Sequence, residues 1–544
     1  MKGNSQRHRG ARILFLGTLA GILEIFSCGV LQAQERTPAS SSNPAPGLTL
    51  LDAVQSVLVN QPLVQIQQQQ VNISKGIKQQ ASGQFDTSFS SSLTQSRTNT
   101  PLTVFFQQQA LASGITTGNL VTTLTSYNAS AGKLFRTGIS ASVVLAVTRD
   151  LDNVTQGRGV NTSHFDLVVN IPLLRGLGNE AVAAQEAADS LEVEASNLDL
   201  AQLTAQLMST AASDYWNFVA GQENLRIAQD SEQRGRSYVD NVQAFIDADR
   251  VPRSDIHEVT ANLAGRTATR IGAEQQIEFA RLQLAVDMGL TPDRMLSLPH
   301  AVDDFPNPEN QPLPPNEFAA KQRYLAESLR RRADFLAAGK RSAEARRLLV
   351  AARNQLLPAL NLNVITGYSG LKEGKGFQQL FAAPIQGVQG VDAALGISFS
   401  FPPRNDVARG QLVQNLALLN QAELRRTQIT ENITAMVSVE LDAVRAAIEQ
   451  VKKAREAVNS FQLALAAERE RYRMGISSVV EVLTVEDALT TALTNQVQAQ
   501  LAFALAVTLL RFATGTLIEP DKRVQTVERN IFFTIPFAAV PQGN

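Results

Sequence analysis

The residue types that most often carry out catalysis are scarce in this chain of 544 residues. It has four histidines, at positions 8, 164, 257 and 300, and a single cysteine, Cys28. The sequence contains no HExxH pair, no nucleophile elbow and no phosphate-binding glycine loop. We therefore expect no enzymatic activity, no cofactor and no metal site. The formal charge of -1 and the lack of a basic patch also predict no nucleic-acid partner.

Two carboxylates, Glu481 and Asp255, have a spacing that suits an ion pathway. A shift of 226 positions places Asp255 on Glu481, Leu263 on Leu489 and Gly289 on Gly515. If several chains bring these carboxylates together in a water-filled constriction, their combined negative potential attracts cations and repels anions. The alternative is that both residues belong to an ordinary solvated helix face.

Long helices must position these carboxylates. Apolar residues recur at steps of three and four from Val437 to Leu465, which predicts a helix with a coiled-coil seam. Gly475 can end this helix in a left-handed conformation, and Ser478 can cap the next one. A shorter helix then returns with apolar positions from Val482 to Leu505 and stops at Gly515.

The same order of elements occurs twice. Residues 48–288 predict a half-length helix, strands within 85–171, a long helix, a tip at 249–254 and a return helix. Residues 317–515 predict the same order, with strands within 359–401 and a tip at 475–480. A proline-rich connector, 289–316, joins the two repeats, and a tail follows at 516–544.

The chain start predicts export. Residues 1–33 combine a basic head, an apolar middle and a cleavage site, as in a signal peptide, and 34–47 form a linker. A membrane anchor helix and a lipidated Cys28 are the alternatives. No later stretch reads as a transmembrane helix, so membrane entry would require strands closed into a barrel. Four strands per chain are too few for a conducting barrel, so several chains must share one.

One segment between the strands has no counterpart in the second repeat. We expect residues Thr98–Lys133 to be an extracellular insertion, with or without a hairpin of its own, because they are rich in Thr, Gln and Gly.

The duplicated plan, the tip RYRMGISSVVEVL at 471–483, its partner VPRSDIHEV at 251–259 and IPLLRG at 171–176 resemble the TolC-like outer-membrane efflux proteins. The resemblance implies an α+β membrane protein of the outer membrane: a trimer whose shared twelve-stranded β-barrel continues into a coiled-coil periplasmic tunnel. It also implies a channel for tripartite efflux or type I secretion. Its partners would be a periplasmic adaptor (membrane fusion) protein, an inner-membrane pump and outer-membrane lipid. The alternative is a non-channel periplasmic coiled-coil protein, structural or adaptor.

The resemblance also assigns roles to single residues. Tyr472 would hydrogen-bond Asp255 and hold the aperture shut, while Glu481 would form an acidic ring. Thr484 stands at a second acidic position of the family, and Ser477 at a basic one. We expect the two tips to dock the adaptor, since turns leave backbone groups free. The predicted docking residues are Asp249, Arg250, Val251, Pro252, Arg253, Ser254, Gly475, Ile476, Ser477, Ser478 and Val479. Asp249 occupies the place of Gly475.

Overall fold

A computed structural model shows how these elements are arranged. It describes residues 47–112, 118–153, 158–249, 252–311, 317–374, 376–386, 388–519 and 527–537. The predicted signal peptide, nearly all of the linker, and the tip residues Arg250 and Val251 lie outside the described residues.

Helices make up most of the described chain. In order they are α1 Leu50–Asn60, α2 Pro62–Gly83, α3 Val104–Ala112, α4 Asn179–Val182, α5 Ala184–Asp247, α6 Asp255–Asp287, α7 Pro292–Met295, α8 Glu317–Arg331, α9 Ala333–Asn354, α10 Phe377–Gln386, α11 Asp406–Arg473 and α12 Val479–Ala513. The two long helices, α5 and α11, have 64 and 68 residues, and each packs against a return helix of about half its length, α6 and α12. At 1.5 Å per residue a long helix extends roughly 100 Å.

The apolar seam of α11 lies where the heptad pattern predicts it. Val437, Leu441, Val444 and Val451 are buried, and they pack against Phe503, Val507 and Leu510 of α12 and Tyr324 of α8. The seam stabilises this hairpin because apolar side chains at the interface leave water together.

Left-handed glycines end both return helices. Gly289 has φ +69° and Gly515 has φ +64°. Each packs against the break in a half-length helix: Gly289 lies on Asn60 and Gln61, between α1 and α2, and Gly515 lies on Arg331 and Arg332, between α8 and α9. A side chain in either place would meet backbone atoms, so glycine is required by both conformation and space.

The strands form one antiparallel sheet in sequential order, and there are more of them than expected. They are β1 Ser88–Pro101, β2 Asn119–Leu134, β3 Ser140–Asp152, β4 Val160–Pro172, β5 Ala359–Glu373 and β6 Val388–Ser400. The expectation of four strands per chain is wrong. Most of the predicted insertion, Thr98–Lys133, belongs to β1 and β2. These strands are rich in Ser and Thr, so apolar and polar residues do not alternate clearly along them, and the sequence pattern does not reveal them as strands.

The sheet has one apolar and one polar face. Following the pairing from β1 to β6, the apolar face carries Phe89, Leu93, Leu145, Phe165, Leu167, Val364, Leu395, Ile397 and Phe399. The polar face carries Ser90, Ser92, Asn128, Ser130, Asp166, Asn170, Asn363, Asp392 and Ser398. Helix α10 packs on the apolar face at the strand ends far from the long helices, where Leu380 and Ala383 are buried.

One described helix, α12, is long and apolar enough to cross a membrane by length and composition. The expectation that no stretch after the signal peptide is long and apolar enough for a transmembrane helix is therefore wrong. Half of the apolar window of α12 is buried inside the chain, where Phe503, Val507 and Leu510 pack against α8 and α11. This packing accounts for the apolar composition of α12, because the helix contacts both long helices, α5 and α11, and so has apolar residues on more than one face.

Candidate functional site at the interhelical tips

The tip between α11 and α12 is a tight turn closed by backbone hydrogen bonds. Gly475 has φ +73°, its N–H donates to the carbonyl of Tyr472 at 3.0 Å, and the N–H of Ile476 donates to Arg471 at 3.0 Å. This is the pattern that glycine allows at helix ends. Ser478 then caps α12, as expected: its hydroxyl accepts from the N–H of Glu481 at 3.4 Å.

Glu481 completes this cap. Its carboxylate accepts hydrogen bonds from the backbone N–H of Ser478 at 2.9 Å and from the hydroxyl of Ser477 at 2.6 Å. The hydrogen bond from Ser477, followed by the one from the Ser478 backbone, holds the pKa of Glu481 below its ordinary value. Glu481 is therefore ionised at neutral pH, and it lies beside the turn in a fixed position.

The tip between α5 and α6 uses aspartate where the other tip uses glycine. Asp249 has φ +55°, the left-handed conformation that Gly475 also adopts, and Asp tolerates it better than most residues. The following helix begins without a side-chain cap, since Ser254 donates its hydroxyl to the Asp255 carboxylate at 3.1 Å. The two tips thus share a left-handed residue at the end of the long helix, but the helices that follow do not share a cap.

Tyr472 is a packing residue as well as a polar one. Its ring lies 6.2 Å from that of Phe245 and contacts the apolar cluster of Val242, Val259, Val479 and Leu483. Among the described residues its hydroxyl makes no hydrogen bond to Asp255, so the structure does not show the predicted bond. Burial, and then the charge of Asp255, raise the pKa of Tyr472, so the two groups are close enough to interact.

Ser477 and Thr484 have local partners. The Ser477 hydroxyl bridges Glu481 and Glu468 of α11, and the Thr484 hydroxyl donates to the carbonyl of Val480 at 2.8 Å. The structure therefore brings Ser477, Ser478 and Glu481 together in one network and leaves Thr484 hydrogen-bonded within its own helix.

Sequence reasoning missed the most buried charge near the tips. The carboxylate of Glu486 on α12 is 0% exposed, and it forms ion pairs with arginines from the other three helices of the two hairpins. Arg234 of α5 donates to Oε1 through Nε, while Arg266 of α6 and Arg469 of α11 approach the same oxygen at 3.8 and 3.7 Å. We call Glu486 and these arginines the arginine cluster.

Further hydrogen bonds extend the arginine cluster. Arg266 donates to the backbone carbonyl of Ser231 at 3.0 Å and to the Asp487 carboxylate at 2.9 Å. Arg469 donates to the hydroxyl of Tyr238 at 3.2 Å. Burial, and then the charge of Glu486, raise the pKa of Tyr238. Four of these contacts join the α5–α6 hairpin to the α11–α12 hairpin: Arg234 and Arg266 with Glu486, Arg266 with Asp487, and Arg469 with Tyr238. The cluster therefore links the two arms of the chain just behind the tips.

A sequence signal for this cluster does exist. Val482, Glu486, Leu489 and Leu493 follow one another at steps of four, three and four, so Glu486 occupies a seam position of α12. A carboxylate inside an apolar seam needs buried cationic partners. The partners themselves lie far away in the sequence, and Glu486 has no equivalent in the first half, where the matching position is Thr260.

A groove runs alongside the arginine cluster. It has a volume of about 450 Å³ and lies between α5 and α11, lined by Arg234, Ser237, Tyr238, Asn241, Phe245, Arg469, Tyr472, Arg473 and Val482. In the described parts of the chain no group of three or more His, Cys, Asp or Glu could hold a metal ion.

The comparison with known protein families gives a match for the second half of the chain. Residues 324–516 match the family model of the outer membrane efflux protein. The resemblance to the TolC-like outer-membrane efflux proteins is confirmed. The matched stretch of this efflux-protein domain includes α11, α12, the second tip and Glu486. The predicted outer-membrane location is confirmed too, since the family and the relatives below are outer-membrane proteins.

A sequence relative supports the same resemblance. The chain is 27% identical over 327 residues to the pyoverdine export outer membrane protein OpmQ of Pseudomonas putida. That match includes 59% of this chain and spans 64% of the length of OpmQ.

Two solved structures with the same fold are outer-membrane channels. The CmeC outer membrane channel of Campylobacter jejuni has a TM-score of 0.62 at 14% identity, covering 87% of each chain. The open-state MtrE outer membrane channel of Neisseria gonorrhoeae has a TM-score of 0.58 at 16% identity, covering 87% of this chain and 91% of that one. At these identities the likeness concerns the fold: long helices joined to a sheet.

Proposed function

We propose that this protein is the outer-membrane channel-tunnel of a tripartite efflux or type I secretion system, conducting cargo passively from a periplasmic adaptor and inner-membrane pump to the exterior. The observation that carries the proposal is the combination of a six-stranded amphipathic sheet with two helical hairpins of roughly 100 Å in one chain. The efflux-protein match and the fold of CmeC and MtrE support it. A purely coiled-coil adaptor or structural protein would have no use for the sheet.

The active assembly in this proposal is a homotrimer built from a duplicated chain. The two halves, 48–288 and 317–515, are repeats joined by the connector 289–316 and followed by the tail 516–544. The equivalent contacts of Gly289 and Gly515 at the two half-helix breaks support the duplication. A sheet with open edges cannot remain in a lipid bilayer, so chains must join edge to edge and share one barrel.

The trimer would be closed at its periplasmic end by the tips. In this proposal Glu481, Asp255, Tyr472, Ser477 and Thr484 surround the aperture, and the fixed, ionised Glu481 contributes negative potential there. Three copies around the axis would favour cations, because carboxylates in a narrow wet opening focus their field.

Replacing Glu481 with Gln tests both the channel and its aperture. In planar bilayers we expect the parent to show discrete channels with cation selectivity, and Glu481→Gln to lose much of that selectivity and of its block by multivalent cations. Gln can still close a capping box, so the helix start survives the change. Glu470→Gln, an exposed charge on α11, is the matched control and should leave the reversal potential unchanged.

The two parts of this proposal can fail separately. A purified protein without conductance would refute the channel. Conductance with an unchanged reversal potential in Glu481→Gln would move the selective site elsewhere along the tunnel.

The tips would also be the adaptor-docking surface, including Asp249, Pro252, Arg253, Ser254 and the segment 475–479. Gly475 and the exposed side chains of Met474 and Ile476 form a bare apolar turn at the end of the hairpin. An apolar anchor inside a polar rim is the usual centre of a protein interface.

Changing Ile476 to Ser should weaken cross-linking of the channel to its adaptor in cells at least several-fold. The Ile476 side chain is 72% exposed, and serine would remove the apolar contact that it makes with the adaptor in this proposal. Leu463→Ser, at a position 66% exposed on the side of α11, is the control and should cross-link like the parent. Equal cross-linking of both variants would place docking away from the tips. Equal loss in both would mean that the helix, rather than the turn, is bound.

A further inference from the structure

The sheet has two edges, β1 and β6, with which no other described strand of the chain pairs. Strand β1 is exposed along all 14 of its residues, and the side chains of residues 389–400 of β6 are exposed as well. Large apolar side chains stand on both edges: Phe89 is 81% exposed and Val391 is 87% exposed. An edge strand with unpaired backbone groups and exposed aromatic or aliphatic side chains is a template for pairing with another strand.

The four inner strands have no open edge. β2 pairs with β3 from Thr122↔Asp152 to Leu134↔Ser140, and β1 pairs with β2 from Ser88↔Gly132 to Pro101↔Asn119. Each face can be followed across all six strands: the side that carries Phe89 on β1 carries Leu145 on β3, Leu167 on β4 and Leu395 on β6. The β1–β2 hairpin is therefore as much a part of the wall as β3 to β6.

The directions and faces of β1 and β6 fit each other. β1 follows α2 and β6 precedes α11, so Ser88 and Ser400 lie at the same, helical end and the strands run in opposite directions. Odd-numbered residues of both strands lie on the apolar face. Residues that face each other across a β6–β1 junction must then be both odd or both even.

We propose that β6 of each chain pairs with β1 of the next copy, so that the assembly has an eighteen-stranded barrel. This rests on the trimer of the proposed function and adds to it the strand number and the seam. If Ser400 of one chain lies directly opposite Ser88 of the next chain, Leu395 faces Leu93 on the apolar side of the sheet, and Gly396 faces Ser92 on the polar side.

The strand number sets the width of the outer-membrane pore. At 4.8 Å between strands and a tilt near 40°, each strand occupies about 6 Å of circumference. Eighteen strands then give a barrel roughly 36 Å across between backbones, against roughly 24 Å for twelve. Barrels of 16–18 strands generally enclose an aqueous channel. The extra hairpin thus widens the exit for hydrated cargo, and its polar inner face of Ser and Asn stays wet.

Pairs of introduced cysteines test the seam, starting from Cys28→Ser so that no native thiol remains. Ser92→Cys with Gly396→Cys should oxidise to disulfides between chains, giving covalent dimers and trimers on non-reducing denaturing gels. Directly opposed residues lie within the Cα distance that a disulfide spans, and a side chain at Gly396 meets no other atom within 4 Å. Ser90→Cys or Thr94→Cys with Gly396→Cys covers a register displaced by two residues.

Two control pairs make the outcome decisive. Ser92→Cys with Leu395→Cys places the thiols on opposite faces and should stay monomeric. Val144→Cys with Gly396→Cys joins β6 to β3 on the polar face; cross-linking there would mean a twelve-stranded barrel with the β1–β2 hairpin outside it, and would overturn the inference.

The native mass of the parent separates this inference from the proposed function. A trimer in which no β1–β6 pair cross-links overturns the eighteen-stranded barrel but leaves the channel standing. A parent that is not a trimer refutes the proposed assembly itself.

Discussion

Changing Glu486 to Gln should open the periplasmic end of the channel and raise its bilayer conductance several-fold. The carboxylate is fully buried and faces Arg234, Arg266 and Arg469, one from each of the other helices. Without its charge, three arginines remain close together around a neutral amide and repel one another. Removing one partner from a buried ion pair costs about 3–5 kcal/mol.

The expected loss lies at or below the lower end of that range, roughly 2–3 kcal/mol per chain, because Arg234 and Arg469 keep some solvent contact. Most of this loss falls on the contact between the two hairpins, because Arg234 and Arg266 belong to the other hairpin and each hairpin keeps its own apolar seam. The arms should therefore separate near the tips while the rest of the fold persists.

The neighbouring residue supplies the control. Asp487→Asn removes the same charge one position away, where the carboxylate is 50% exposed, while the buried Arg266 keeps Glu486 and the Ser231 carbonyl as partners. A carboxylate half exposed to water contributes about 0–1 kcal/mol to an ion pair, so the conductance should stay near that of the parent. A conductance of Glu486→Gln equal to that of the parent would show that the arginine cluster does not hold the tips together.

Changing Gly289 to Ala should destabilise the protein far more than changing Gly475 to Ala. Both glycines are left-handed, at φ +69° and +73°, so alanine at either position costs about 1–2 kcal/mol in backbone strain. At Gly289 the new Cβ would also lie 2.8 Å from the backbone of Asn60 and Gln61, whereas at Gly475 it meets nothing within 4 Å.

Relieving that overlap requires moving α6 away from the α1–α2 break. There Gln61 donates to the carbonyl of Asp287 at 3.0 Å and Ser56 donates to that of Met288 at 2.9 Å. Losing one or both bonds adds roughly another 1–3 kcal/mol. Thermal unfolding followed by circular dichroism in detergent should show a clearly lower midpoint for Gly289→Ala.

Gly515→Ala extends the comparison to the second half. Its Cβ would lie 3.0 Å from the backbone of Arg331 and Arg332, so its midpoint should fall between those of the other two variants. If Gly475→Ala proved the most damaging of the three, the close approach of the return helices to the half-helix breaks would not be a source of stability.

Much of the helical plan is readable from sequence because its determinants are local. The step of three and four between apolar residues defines α11, and Gly475 and Ser478 place the turn and the cap of α12 within a few positions. The match of Gly289 to Gly515 under the shift of 226 positions is also local, because each glycine ends a helix. Period-two alternation found the strong strands, such as β3 and β6, and the first half of β1. It missed the rest of β1 and the whole of β2, where serine and threonine weaken the pattern.

The sequence by itself determined the class of this protein: two helical hairpins, alternating strands, and the turns that join them. Tertiary structure alone decided which side chains meet. It gave Tyr472 an aromatic partner in Phe245 and surrounded Glu486 with arginines from three other helices. The physical reason is range. Capping and periodicity act over a few residues, whereas an ion pair between positions 234 and 486 depends on how whole helices pack.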